Sequence, residues 1–217
     1  MNAKPGEARL RWEVFRCRRK SDTRTQYLLE LARSVVRAPK SADPPPLLEI
    51  GTRSGGSALL MLRVLDLIYP AGARRPLLLT VDPYGTRPYE GAPFVYDDRH
   101  YIAMRRALAS HANHIHYMMD SDLFLSLLDQ LYLWTFGTRR PLSTFSLVYL
   151  DGSHDPDVVW GEIERLLPRV VPGGFLIVDD TDWFEGAVRS RLDAGAGRLP
   201  GRLRHNGKQS IIRVAET

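Results

Sequence analysis

Apolar and polar positions along this chain follow two rhythms that take turns. Between Thr23 and Arg37, large apolar side chains such as Leu28, Leu31 and Val35 recur every three or four positions, which predicts an amphipathic helix. The proline-rich run Ser41 to Pro46 breaks it, and Leu47 to Ile50 is a short apolar run of strand length. Helical spacing and apolar runs then alternate: helix Ser57 to Tyr69, strand Leu77 to Asp82, helix His100 to Ala112, strand His114 to Met119 and helix Leu123 to Trp134. The series continues with strand Phe145 to Leu150, helix Val158 to Leu167, strand Gly174 to Val178 and a helical stretch after Asp182. Apolar runs separated by helices predict a parallel sheet covered on both faces. The tail departs from this: "RLRHNGKQSIIRV" sets Asn206-Gly207 between two strand-like runs, and a type I′ turn needs positive φ at both central residues. The expected fold is therefore α/β, a doubly wound, mostly parallel seven-stranded sheet with a C-terminal antiparallel hairpin. Two connections, Tyr84 to Arg99 and Thr135 to Ser143, are too long for simple turns; the first carries Tyr84, Tyr89, Phe94 and Tyr96 and suits closure over a substrate.

Composition narrows the class. A chain of 217 residues with 44% hydrophobic content can bury one substantial core, read here as one globular unit with a basic arm and helix at 1–40 and a ligand-binding domain at 41–217. The single cysteine, Cys17, excludes an internal disulfide framework and a cysteine-based zinc cluster, and the absence of a signal peptide or long apolar span points to a cytoplasmic protein. The formal net charge of +5 is uneven: residues 1–24 contribute +5 and residues 189–213 contribute +6, which leaves the rest at about −6. Such flanks suit nucleic acid, an acidic substrate or a partner; solvated surface is the simpler reading. Arginine outnumbers lysine 26 to 4, which reads as a coding bias.

The turn "LLEIGTRSGGS" follows the first of the alternating strands and opens a helix at Ser57, the place where open α/β sheets hold ligands. A dinucleotide fingerprint would need glycine where Arg53 stands, and a phosphate loop would need lysine where Ser57 stands. Phosphate ligands are therefore disfavoured. A ligand with a nucleoside and an amino-acid tail needs only a close backbone and a helix N-terminus facing its carboxylate. "LEIGTRSGGSALLML" is similar to the first motif of class I methyltransferases, particularly small O-methyltransferases, and the resemblance implies a Rossmann-like fold that binds S-adenosylmethionine. It implies that Glu49 lies near the ligand's amino group or orders the turn, that Gly51 and Gly55 line the ligand with Thr52, and that Ser57 adds a hydroxyl to the carboxylate. Asp82, closing "LLLTVDPYG", would accept hydrogen bonds from both ribose hydroxyls. Asp120 and Ser121 in "HYMMDSD" match the family's adenine side, although a strand-end cap would look the same.

Two later stretches, "FSLVYLDGSHDPD" and "LPRVVPGGFLIVDD", end neighbouring strands in carboxylates: Asp151 on one, Asp179 and Asp180 on the other. Three carboxylates a few ångströms apart repel one another unless a cation neutralises them, and Mg²⁺ or another divalent cation suits an all-oxygen site. The arrangement resembles a bacterial subgroup that methylates hydroxyls of macrolide and aminocoumarin sugars; the resemblance implies that Asp151, Asp179 and Asp180 hold Mg²⁺ and that Asp151 takes the proton. The "DGSH" run departs from that subgroup and puts the sugar acceptor in doubt. His154 competes with Asp151 as base, because an imidazole with an ordinary pKa near 6.5 is mostly neutral at neutral pH. His111, His114 and His116 straddle a helix end and a strand start and read as structural. The expectation is an O-methyltransferase acting on a small-molecule hydroxyl, a natural-product intermediate, with no nucleic acid or membrane partner and with a homodimer left open. One rival is an RNA or other nucleic-acid methyltransferase. Enzymes acting on exocyclic amines place Asp/Asn-Pro-Pro-aromatic where Asp151-Gly152-Ser153-His154 stands, and the cysteine that cytosine-C5 chemistry requires is present only as Cys17, in the N-terminal arm. A second rival is a noncatalytic binding protein with the same fold.

Overall fold

The computed structural model describes residues 6–216 apart from 22, 86, 89–94 and 136. In chain order the elements are α1 (Glu7–Cys17), α2 (Thr25–Arg37), β1 (Leu47–Ile50), α3 (Gly56–Ile68), β2 (Leu78–Val81), β3 (Arg87–Pro88), β4 (Val95–Tyr96), α4 (Asp98–Leu108) and β5 (His114–Tyr117). Then follow α5 (Ser121–Leu127), β6 (Tyr132–Thr135), β7 (Thr138–Pro141), β8 (Phe145–Leu150), α6 (Pro156–Leu166), β9 (Val170–Val178), α7 (Ala187–Gly195), β10 (Gly201–Asn206) and β11 (Gln209–Val214). Seven strands form one sheet in the order β10-β11-β9-β8-β1-β2-β5. Strands β9, β8, β1, β2 and β5 run parallel, while β11 is antiparallel to β9 and β10 to β11. The chain thus builds outward from β1 through β2 to β5 and crosses back to lay β8 on the other side of β1, so the switch point lies between β1 and β8.

Both faces of the sheet are covered, and period-two alternation decides which side chain serves which face. Leu47, Leu78, Leu147, Tyr149, Phe175 and Ile177 pack with α1, α2, α3 and α4; Leu48, Leu79, Val148, Leu150, Leu176 and Val178 pack with α5, α6 and α7. These strands are mostly apolar because both faces are covered, with Glu49, Thr80 and Ser146 as buried polar exceptions. Among the described residues no helix is long and apolar enough to cross a membrane.

The structure corrects three boundaries. The basic arm contains helix α1, whose Leu10, Val14 and Cys17 join the core cluster of α2 and α3; charge-dense sequence hid its apolar stripe. The helix expected from Leu123 to Trp134 stops at Leu127, with one 3₁₀ turn to Gln130, and the supposed loop that follows is the antiparallel ribbon β6–β7 turning at Gly137. "YLWT" is strand-like in composition, but its apolar density matched a helix equally well. Between Tyr84 and Arg99, β3 and β4 pair as a second small ribbon; Tyr89 and Phe94 lie outside the described residues.

Candidate active site

Strand register assembles the site. Ile50 pairs with Leu150, and Leu150 with Val178, so Gly51, Asp151 and Asp179 leave their strands side by side at the switch point. Hydrogen bonds continue past the strand ends: Asp151 N–H donates to Ile50 O and Asp179 N–H to Leu150 O, each at 2.8 Å. Since Tyr149 and Ile177 face the N-terminal helices, alternation sends Asp151 and Asp179 to that face as well. Gly51 has φ +85°, and a Cβ there would stand 2.1 Å from the Asp151 carbonyl oxygen. Its glycine is therefore demanded by the approach of the β8 loop as much as by any ligand.

The glycine turn is held from beneath by residues expected to hold the ligand. Asp82, 3% exposed, accepts the Thr52 and Arg53 N–H groups on Oδ2 at 2.9 Å each and the Tyr84 N–H on Oδ1 at 3.2 Å. Tyr84 donates its hydroxyl to the Arg53 carbonyl at 2.5 Å. With 4% exposure, Tyr84 is a buried strut under the turn and not part of a lid. Glu49 is fully buried; Ser57 Oγ donates to its Oε1 at 2.5 Å, and its Oε2 has no hydrogen-bond partner among the described residues. Burial pushes the Glu49 carboxyl up to about 8. Ser57 thus spends one of its hydrogen bonds on Glu49. Helix α3 begins after Gly55 with no side-chain cap and no acid in its first turn, so its N-terminus is open to an anionic group.

A cleft partly open to solvent lies above this turn. Thr52, Arg53, Ser54, Gly56 and Ser57 line it with Gly51, Asp151 and Asp180, and so do Lys20, Ser21, Thr23 and Lys208, which sequence reasoning did not single out. The segment after α1 lies directly on the turn: a Cβ at Gly56 would stand 2.5 Å from the Lys20 carbonyl oxygen. Two signals were available in the sequence. Lys208 is one of only four lysines against 26 arginines, and Lys20 stands next to the apolar spacing of α1.

The three aspartates come together, but not as an open trio. The Lys208 ammonium stands 2.6 Å from Asp180 Oδ1 and 3.3 Å from Asp179 Oδ1. Tyr149 Oη donates to Asp179 Oδ2 at 2.6 Å and lies 3.2 Å from Asp151 Oδ2, while Thr23 Oγ1 is 3.5 Å from both carboxylates. Burial, followed by repulsion from Asp179 and Asp180, raises the Asp151 carboxyl well above the usual range; burial raises Asp179 too. For Asp180 burial works upward, but hydrogen bonds from His154 and Lys208 outweigh it and hold the carboxyl low. The divalent cation expected from the sequence does not fit this donor set: the oxygens it would need on Asp179 and Asp180 already face an ammonium, and no group of three acidic, cysteine or histidine side chains among the described residues is arranged for a metal.

The other candidates sit as follows. His154, 8% exposed, faces Asp180 Oδ2 through Nε2 at 3.2 Å and stacks on Trp183 with ring centroids 4.1 Å apart, behind the residues that line the cleft. Asp120 caps α5 by accepting the Leu123 N–H at 2.9 Å, with Ser121 opening that helix, both one strand beyond Asp82. Thr80 Oγ1 bridges His114 and His116 at 2.8 and 2.9 Å; burial lowers both imidazoles, His114 to about 4. His111 lies 3.7 Å from Asp66, away from that pair's Thr80 bridge. The Cys17 thiol is fully buried and pushed up to about 11, which removes it as a nucleophile.

Comparison with known proteins assigns the fold and the family. A family profile described as a methyltransferase domain matches residues 48–181, from β1 through the Asp179–Asp180 turn. Comparison with curated proteins found no match. Among solved structures, the O-methyltransferase NovP superposes with a TM-score of 0.63 at 16% identity, over 91% of this chain and 83% of that one. TomG from Streptomyces achromogenes, an O-methyltransferase involved in tomaymycin synthesis and solved with S-adenosylmethionine, gives 0.56 at 19% identity over 95% and 89%. CalS11, a TDP-rhamnose 3′-O-methyltransferase of calicheamicin biosynthesis, gives 0.55 at 14% identity over 98% and 96%. At these identities the structural likeness is one of fold, whereas the profile spans more than half of the chain and includes both the glycine turn and the carboxylate strand ends. The chain belongs to the methyltransferase-domain family.

Proposed function

We propose that this protein transfers a methyl group from S-adenosylmethionine to a hydroxyl of a small molecule, in the manner of natural-product O-methyltransferases. The observation that carries the reading is the cleft at the β1–β8 switch point, which joins an uncapped helix N-terminus, a buried Glu49 with an unpartnered oxygen and the acid Asp151. Those features suit the carboxylate and ammonium of a methionine tail. S-adenosylmethionine supplies a methyl group already activated by a sulfonium. The chain's part is to align the acceptor oxygen and take its proton. Asp151 faces the cleft, where in this reading it takes the acceptor's proton as the O–CH₃ bond forms and the S–CH₃ bond breaks. His154, stacked behind Asp180, acts in this reading by orienting that carboxylate. Asp82 serves twice, holding the turn and accepting ribose hydroxyls, and Asp120 and Ser121 bound the adenine side.

The small-molecule reading is favoured over a nucleic-acid one by the fate of the basic C-terminal flank. Arg189, Arg191, Arg204, Lys208 and Arg213 are engaged by Gly207 O, Asp157, Glu30, Asp179 with Asp180, and Glu216. Calorimetry with S-adenosylmethionine, S-adenosylhomocysteine and NAD tests the reading. The first two are expected to bind and NAD is not; binding of NAD alone would overturn it. Asp82→Ala is expected to weaken S-adenosylmethionine binding by roughly 1–3 kcal/mol, with thermal unfolding followed in parallel to separate loss of the turn from loss of the ligand contact.

A further inference from the structure

Lys208 is placed with more care than a surface lysine needs. It follows the Asn206-Gly207 turn that joins β10 to β11, and its backbone is tied on both sides. Its N–H donates to Tyr27 Oη at 3.2 Å, and its carbonyl accepts from Thr181 N–H at 2.8 Å and Thr181 Oγ1 at 2.9 Å. Ser210 Oγ in turn donates to Thr181 Oγ1 at 2.9 Å. The side chain is only 18% exposed, and its ammonium passes over the Tyr27 ring at 5.5 Å before reaching Asp179 and Asp180. Asp180 meets it from a left-handed backbone, φ +51°, an uncommon conformation for aspartate that turns the residue out of the strand's line. A lysine this well anchored, lining a catalytic cleft and bonded to two of three clustered carboxylates, occupies the seat a dication would take.

We propose that the Lys208 ammonium is the built-in cation of this active site, neutralising the Asp179–Asp180 pair in place of a divalent ion. The inference rests on the methyltransferase reading for its catalytic meaning, though not for its geometry. An octahedral ion needs carboxylate oxygens at about 2.0–2.1 Å, and both Oδ1 atoms are held by an ammonium that cannot be displaced without leaving a half-buried charge unpaired. The acceptor oxygen entering beside Asp151 therefore meets an N–H donor of fixed position where a metal enzyme would offer a Lewis acid. Electrostatic stabilisation of a developing oxyanion requires a preorganised positive group near it, and a tethered ammonium meets that requirement.

The test is Mn²⁺ binding followed by electron paramagnetic resonance, together with thermal unfolding in Mg²⁺ and in EDTA, on the full chain and on Lys208→Met. Bare Mn²⁺ is expected to bind the parent weakly, and the parent's melting temperature is expected to be the same in Mg²⁺ and EDTA. Removing the ammonium uncovers two carboxylates beside the third, Asp151. Lys208→Met should melt lower, gain Mn²⁺ affinity by about tenfold or more, and recover stability as Mg²⁺ is added; adding Asp180→Asn should erase the gain. Lys208→Arg keeps a charge and should gain no Mn²⁺ site, which guards against a Met variant that fails to fold. Tight Mn²⁺ binding by the parent that is lost in Asp179→Asn would overturn the proposal, and so would a folded Lys208→Met with no gain. S-adenosylmethionine binding by the same parent preparation is measured separately. Its absence would sink the methyltransferase reading while leaving the cation assignment to the Mn²⁺ result.

Discussion

Glu49 has no exposed surface, one oxygen on Ser57 and another without a partner among the described residues, and burial pushes it up to about 8. A carboxyl raised in this way binds its proton more tightly folded than unfolded. Its contribution to stability is intact below the unfolded pKa, near 4.5, and is lost as pH rises toward 8. Glu49→Gln should therefore match the parent in urea midpoint near pH 5 and exceed it by pH 8, each tenfold difference in proton affinity being worth about 1.4 kcal/mol at most. A parent advantage that widened with pH would mean that the carboxylate is charged and paired. Gly51 offers a sharper local test. Gly51→Ala combines a left-handed φ with a Cβ 2.1 Å from the Asp151 carbonyl, so it should cost at least about 2 kcal/mol in chemical denaturation. Both residues lie in the most legible stretch of the sequence, because glycines at 51, 55 and 56 between a strand and a helix demand a tight turn. That Asp82 would brace the turn through Thr52 and Arg53 was not legible, since the sequence names the acid but not the donors it meets.

Among elements, α1 shows where the apolar pattern stops being informative. Its buried apolar residues, Leu10, Val14 and Cys17, are interleaved with five charged residues and with exposed Trp12 and Phe15, and only packing on α3 reveals the stripe. The helix does more than cover the core, because it delivers Lys20 and Ser21 onto the first turn of α3. Leu10→Ala is expected to cost about 2–4 kcal/mol in unfolding free energy and also to weaken S-adenosylmethionine binding, although Leu10 does not line the cleft. Equal affinity in a destabilised variant would show that α1 is only a cover. The β6–β7 ribbon is hidden for the opposite reason: apolar-rich sequence from Leu123 onward satisfies helix and strand templates alike, and the break at Gly137 decides between them only once the pairing of Tyr132 with Pro141 is seen. The parallel strands are legible because burial on both faces favours short, mainly apolar runs, here broken only by single polar residues such as Glu49, Thr80 and Ser146.

At the scale of the whole molecule, part of the uneven charge is balanced from within. Arg204 pairs with Glu30, Arg191 with Asp157 and Lys208 with Asp179 and Asp180, so the basic C-terminal flank meets acids of the body in the folded state. A count along the sequence shows the imbalance but not its partners, and that gap is what makes a metal look necessary at the strand ends. Acid stability should carry a different mark. His114, lowered to about 4, and His116, also lowered, resist protonation when folded, so their contribution is complete above pH 6.5 and is lost as pH falls toward 4. His114→Gln should flatten that acid limb in a pH series of melting temperatures; an unchanged slope would place the loss elsewhere. The meeting of Tyr27 with Lys208, 181 positions apart, has a consequence in time as well as in space. A ribosome makes the chain in one direction, so the glycine turn, the carboxylate strand ends and the Lys20–Thr23 segment all emerge before the residue that neutralises them. Until the β10–β11 turn emerges and docks, the nascent protein carries its acidic cluster uncompensated. The cleft is thus completed last, and a premature stop after β9 would leave most of the sheet in place without the cation the site was built around.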